Sequence, residues 1–175
     1  MKAKSSFIIY GAIAGFITIL GFILWMAIVG DNQQLNMKYG ELIGYTFMLL
    51  ALSTVFFALR SFRDKNNGML SFKEGFLNGM IVVLVASIIY VAGWMIYYPN
   101  FMPDFAEQYT QGQIAQLETQ GLSEEELKAK IDEMKAFQEM YEQPLVMAGF
   151  TFLEIFPVGL VVTLISALIL KRRRT

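Results

Sequence analysis

Four long stretches of this chain carry almost no charge, and that restricts its fold more than any other feature. Phe7 to Val29 has no charged residue, and neither does Leu42 to Leu59. Met80 to Tyr98 is clean, and Phe76 to Tyr98 is interrupted only by Asn78. Leu145 to Leu170 holds a single acid, Glu154. Each stretch runs about 18 to 26 residues, or roughly 27 to 39 Å as a helix, which matches a hydrocarbon core of about 30 Å. Buried helices of a soluble domain are shorter and keep a polar face. At 55% hydrophobic and 17% charged, the chain has too much apolar surface to hide in a soluble fold of its length. Inside lipid every backbone polar group must be satisfied internally. A membrane β-barrel would show alternating segments of about ten residues, so helices are the remaining solution.

The expected fold is therefore all-α: an integral membrane four-helix bundle with an extracytoplasmic helical hairpin between the third and fourth spans. The spans are placed at about 7–29, 39–60, 76–98 and 145–170, with the helical insert at 99–144, all in one membrane domain over 1–175. The first stretch makes a poor signal peptide, since its apolar run is long and "MAIVGD" does not suit cleavage. The chain has no cysteine and no histidine, which removes disulfides, thiolate chemistry and the usual zinc and haem ligands.

Charge placement sets the orientation. Residues 1–6, 60–74 and 171–175 hold Lys2, Lys4, Arg60, Arg63, Lys65, Lys73, Lys171, Arg172, Arg173 and Arg174, against only Asp64 and Glu74. The 99–144 insert has ten acids between Asp104 and Glu142 and three lysines, Lys128, Lys130 and Lys135. Lysine and arginine accumulate on the cytoplasmic side. Both termini are thus expected in the cytoplasm of a bacterial inner (cytoplasmic) membrane, with the acidic insert outside. Lys171, Arg172, Arg173 and Arg174 read as topology anchors on anionic headgroups rather than as a nucleic-acid patch. The lipid bilayer is the primary partner, with a second copy or another membrane protein as the further candidate, and no nucleic acid.

The insert carries its own helix signals. Pro103, Asp104 and Glu107 open one helix, which Gly121 ends. Ser123 and Glu126 have capping-box spacing, and Glu124 to Glu126 suit the positive end of a second helix. Leu127, Ile131, Met134 and Tyr141, with Phe137 beside them, form one apolar stripe, which packs on the sister helix or meets a partner.

Glycines recur at four-residue spacing: Gly11 and Gly15, Gly40 and Gly44, Gly75 and Gly79. Such pairs let helices approach closely in lipid, so all six are assigned to helix packing. "GAIAGFITIL" and "GFLNGMIVVL" also read alike, and Glu41, Ser53 and Arg60 align with Glu154, Ser166 and Arg173. Spans one and two would then be a parallel duplicate of spans three and four.

Glu154 is the residue that asks for an explanation. Counting from Leu145 places it about 13 Å below the outer edge, and counting from Lys171 places it only about 4 Å below. Both put it in the outer half. A charge at a helix centre costs about 2.5–3.5 kcal/mol on insertion scales and less toward the interface. Glu154 meets that cost by facing other helices and finding donors, or by holding a proton. Tyr45, Thr46, Trp94, Tyr97 and Tyr98 lie at similar depth. Pro157 leaves the Leu153 carbonyl without its helical donor, a bend that Thr151 or Thr163 would stabilise. The candidate intramembrane polar site is Glu154, Pro157, Tyr45, Tyr97 and Tyr98. Glu41 is set aside as nearer the membrane edge.

No catalytic device is visible. Ser–His and Cys–His arrangements are impossible here, no span contains an aspartate, and no phosphate-cradling glycine loop occurs. The chain is expected to be neither an enzyme nor a cofactor or metal carrier. Two function classes remain. The first is an accessory or scaffold protein that uses its outer hairpin for packing or partner contact. The alternative is a small proton- or cation-coupled transporter using Glu154.

The segments "SFKEGFLNGM", "YYPNFMPDF" and "EIFPVGLVVTLISALILKRR" together resemble the bacterial domain-of-unknown-function family 4199. The resemblance covers essentially the whole chain. Its most specific parts are the Lys-Glu-Gly entry to the third span, the Pro-Asp-Phe exit and the Glu-x-x-Pro-x-Gly fourth span. It implies a small protein with four spans and a helical insert before the last, in the inner membrane of a Gram-negative cell. It implies no chemistry and no catalytic residue.

Overall fold

The structure, a computed structural model, describes residues 2–30 and 33–172, apart from the side chains of residues 2–4, 33, 34 and 37. The anchors Arg173 and Arg174 lie outside the described residues, as do the side chains of Lys2 and Lys4. Seven helices make up the described chain: α1 (Lys2–Val29), α2 (Gln33–Leu52), α3 (Thr54–Lys65), α4 (Phe72–Phe101), α5 (Phe105–Glu118), α6 (Glu124–Tyr141) and α7 (Pro144–Leu170). Four stretches are long and apolar enough to cross a membrane: Ser5–Val29, Lys38–Lys65, Phe72–Phe101 and Pro144–Leu170. Many of their large side chains point outward, Ile28 and Leu42 on the first two and Ile96 and Ile169 on the others. Helices apolar all round require lipid or protein on every side.

The second span is not one helix, as its sequence suggested, but two. The break falls at Ser53, whose hydroxyl donates to the Leu50 carbonyl at 2.6 Å. The hydroxyl competes there with the backbone ladder, while Ser53 keeps helical dihedrals of φ −58° and ψ −21°. The two parts have different neighbours. α3 packs against α1, α4 and α7, whereas α2 lies chiefly along α1.

The third span starts earlier than expected, because Ser71 caps it. The Ser71 hydroxyl accepts from the Glu74 N–H at 3.2 Å, and the Glu74 carboxylate accepts from the Ser71 N–H at 3.0 Å. This reciprocal pair satisfies two orphan donors. The same device forms at Ser123 and Glu126, with distances of 3.3 and 3.2 Å. Asp104, by contrast, makes no side-chain cap, and Glu107 instead accepts from Gln111 within α5 at 3.0 Å. Gly121 stops the α5 turn with φ +69°, a left-handed backbone that glycine adopts without strain.

α4 runs along both α1 and α7, and this is where the chain is tightest. A methyl added at Gly11 would meet the Val82 carbonyl oxygen at 2.7 Å, and one at Gly15 would meet Ile89 Cβ at 2.7 Å. Gly75 faces Ala167, and Gly79 faces Thr163. Leu52, Val55, Leu59, Val82, Val83 and Ile155 are sealed from solvent around these contacts. Phe7 packs on Phe62 with ring centroids 5.5 Å apart, and Leu70 exchanges backbone hydrogen bonds of 3.1 and 2.8 Å with Arg172. The start of α1, the α3–α4 turn and the chain after α7 are thus brought together. Lys171 and Arg172 are exposed there.

The positions aligned as a duplication have different surroundings. Gly11 and Gly15 lie against α4, while Gly75 and Gly79 lie against α7. Ser53 breaks its helix, whereas Ser166 is buried inside a continuous one.

Candidate functional site

α4 presents Tyr90 and Trp94 one turn apart on the same face, and both are 6% exposed. The Tyr90 hydroxyl donates to Glu154 Oε2 at 3.2 Å, which ties α4 to α7. Trp94 Nε1 donates to the Tyr141 hydroxyl at 3.0 Å, which ties α4 to the end of α6. Burial pushes the Tyr141 phenol up, so it stays protonated at physiological pH. Trp94 also meets Phe22 edge-on, with centroids 4.8 Å apart.

These groups wall a cavity of about 360 Å³ that six helices help to line. α1 gives Thr18 and Phe22, and α2 gives Gly40, Glu41, Gly44, Tyr45 and Met48. Tyr90, Trp94, Phe105, Tyr141 and Glu154 complete it. Two carboxylates therefore face one space, and among the described residues no lysine or arginine lines it. Glu41, Tyr45 and Glu154 stay exposed, so the cavity is open rather than sealed. The volume lies within the range of small-molecule sites, roughly 300–1,000 Å³. Carboxylates among aromatic faces suit a cation, because ring quadrupoles attract positive charge as the acids do.

The residues expected around Glu154 divide. Tyr45 shares the cavity. Tyr97 does not: it stacks on Phe101 at 5.0 Å and lines a separate hollow near Asn36 and Asp104. Tyr98 is buried behind the site against Trp94, Phe105 and Tyr141. Thr46 donates to the Leu42 carbonyl on its own helix. Pro157 stands inside α7, one turn from Glu154. Neither threonine serves the carbonyl that Pro157 frees, since Thr151 donates to Met147 at 2.8 Å and the buried Thr163 hydroxyl has no partner.

Gly40 and Gly44 do not act as a packing pair. Nothing lies within 4 Å of a methyl built on Gly44, and the nearest atom to one on Gly40 is Asn36 Oδ1 of the same helix. Both glycines line the cavity instead. Their missing side chains leave it room.

Sequence reasoning missed Glu41, Tyr90 and Tyr141. The signal for Tyr90 was its spacing of four from Trp94. For Glu41 it was the run Glu41, Gly44, Tyr45, Met48, which is one helix face.

The family model described as "Protein of unknown function (DUF4199)" matches residues 9–172, nearly the whole chain. The chain belongs to this family. The match takes in the cavity, both carboxylates and the α5–α6 insert. No curated protein and no solved structure matches the chain.

Proposed function

We propose that this family member is a small cation-binding transporter, and not an enzyme. It is read as a four-helix bundle in the bacterial inner membrane, with cytoplasmic termini and the α5–α6 pair outside as a roof over the cavity. The orientation rests on the split between basic residues near α1, α3 and the end of α7 and acidic residues in the insert. The function rests on one observation, the convergence of Glu41 and Glu154 in an aromatic cavity that no described lysine or arginine lines. Intramembrane carboxylates usually mark ion or proton pathways.

The test is flux. Purified protein in proteoliposomes should carry a proton-coupled cation flux that Glu154→Gln abolishes and Glu41→Gln reduces at least tenfold. Wild-type protein that moves nothing across an imposed gradient removes the transport reading. Orientation is tested separately in this cysteine-free chain. Gln113→Cys should react with an impermeant maleimide in intact cells, and Asn67→Cys should react only after permeabilisation.

A second reading is an accessory or scaffold protein that works through α5 and α6. It is favoured by an apolar groove of about 620 Å³ between those helices, lined by Tyr109, Met134, Phe137 and Met140 among others. In-cell crosslinking and mass spectrometry test it. A stoichiometric membrane partner bound through α6 supports this role, and a clean homo-oligomer removes it.

A further inference from the structure

The α5–α6 groove and the carboxylate cavity are neighbours, because Phe105 and Tyr141 line both. One is apolar, with Met134, Phe137 and Met140 along its wall, and the other is acidic. We propose that a single ligand occupies both: a single-chain cationic amphiphile, with a quaternary ammonium head between Glu41 and Glu154 and its hydrocarbon tail in the groove. This rests on the cation-site reading above and names its ligand class.

Three features select that chemistry. Among the described residues that line it, the cavity presents two acids and no base, so the head must bring net positive charge. Zwitterionic lipid fits poorly, because its phosphate would share the space with two carboxylates. The aromatic walls of Tyr45, Tyr90, Trp94 and Tyr141 suit a methylated ammonium, which attracts ring faces and needs no hydrogen-bond acceptor. The groove then accepts methylenes, and methionine side chains adapt to a flexible chain.

The chain carries a built-in reporter. It has two tryptophans, and Trp94 faces the cavity while Trp25 is bonded to Asn36 between α1 and α2. Trp25→Phe leaves Trp94 as the only indole. This variant, full length and in nanodiscs of zwitterionic lipid, would be titrated with dodecyltrimethylammonium, tetramethylammonium and decanoate. Dodecyltrimethylammonium should change Trp94 emission with an apparent Kd at least tenfold below that of tetramethylammonium, and decanoate should do nothing. Adding Glu41→Gln and Glu154→Gln should weaken both cations at least tenfold. Those nanodiscs take up the same partitioned amphiphile, so only the difference between the two proteins counts. Met140→Asn makes an exposed groove residue polar without adding charge. It should weaken dodecyltrimethylammonium at least fivefold and leave tetramethylammonium unchanged.

Equal affinity for the two cations, or insensitivity to Met140→Asn, overturns the tail assignment and leaves the cation site standing. No response to either cation overturns the cation site as well. Saturation by decanoate in place of the cations reverses the charge assignment and sinks the proposal.

Discussion

Two glycine pairs with identical spacing do opposite things in this molecule. Gly11 and Gly15 bring α1 so close to α4 that an added methyl would strike Val82 or Ile89 at 2.7 Å. Gly40 and Gly44 lie on α2, and a methyl on Gly44 would meet nothing. The first pair removes space between helices, and the second creates it. The cause lies in the neighbours. α1 runs along α4, a helix sealed by Val82, Val83 and Ala86, whereas α2 lies chiefly along α1 and touches α5 and α7 more lightly. Small-residue spacing therefore states that a helix face is low, without stating what fills the hollow.

The sharpest way to break this contrast is to fill both hollows. Gly15→Leu should overpack the α1–α4 contact and destabilise the protein by about 1–3 kcal/mol, enough to lower its folded yield. Gly44→Leu should change stability by only about 0.5 kcal/mol, as surface substitutions do. It should nevertheless cost most of the cation binding, because it fills the cavity. Reversible unfolding in mixed detergent micelles, paired with the Trp94 titration, reads both effects. Equal destabilisation at the two sites would end the distinction.

A smaller effect separates holding the cavity from roofing it. Tyr90→Phe removes the donor to Glu154 between two spans. It should cost about 1 kcal/mol of global stability. Tyr141→Phe removes the acceptor of the Trp94 bond at the end of a helix with no fully buried residue. Its cost should also be about 1 kcal/mol, but confined to local opening of α6. Hydrogen exchange should therefore rise across residues 124–141 in Tyr141→Phe and across α4 and α7 in Tyr90→Phe. Matching patterns in the two variants would mean that α6 is part of the same cooperative unit.

The sequence was informative where one dimension is enough. Span number follows from charge-free length, and the caps at Ser123 and Gly121 follow from residue type and spacing. Tyr45, grouped with Glu154 by its place along the second span, lines the same cavity. Rotation about the helix axis was not. Trp94, Tyr97 and Tyr98 share a depth with Glu154, yet only Trp94 lines its cavity, and the donor is Tyr90, one turn lower. Apolar helices lack the polar face that would fix their phase, so neighbours decide it. Glu41 was passed over for a related reason. Its closeness to the membrane edge bore on lipid exposure and said nothing of the cavity that it lines together with Glu154. The Ser53 break was hidden because a serine inside a span is common, and only its bond to Leu50 marks it.

The smallest effect tests whether the roof is built independently of what it covers. Glu126 is held below the usual carboxylate range, first by the Ser123 hydroxyl and then by the Ser123 backbone N–H. A carboxyl whose pKa is depressed on folding stabilises the folded form above its unfolded pKa. That contribution fades as pH falls through the folded value. The first turn of α6 should therefore fray in acid, below roughly pH 4, while α4 and α7 stay intact. Ser123→Ala should reproduce part of that fraying at neutral pH and flatten the acid response, because the backbone N–H bond survives the substitution. Carbon-13 Cα shifts of Glu126 and Leu127 in micelles read the helix directly. At neutral pH the Trp94 emission of Ser123→Ala, made in the Trp25→Phe background, should match that of its parent, since Tyr141 lies at the opposite end of α6. A Trp94 response that tracks the Glu126 shifts would show that the cap and the cavity are coupled along the whole helix.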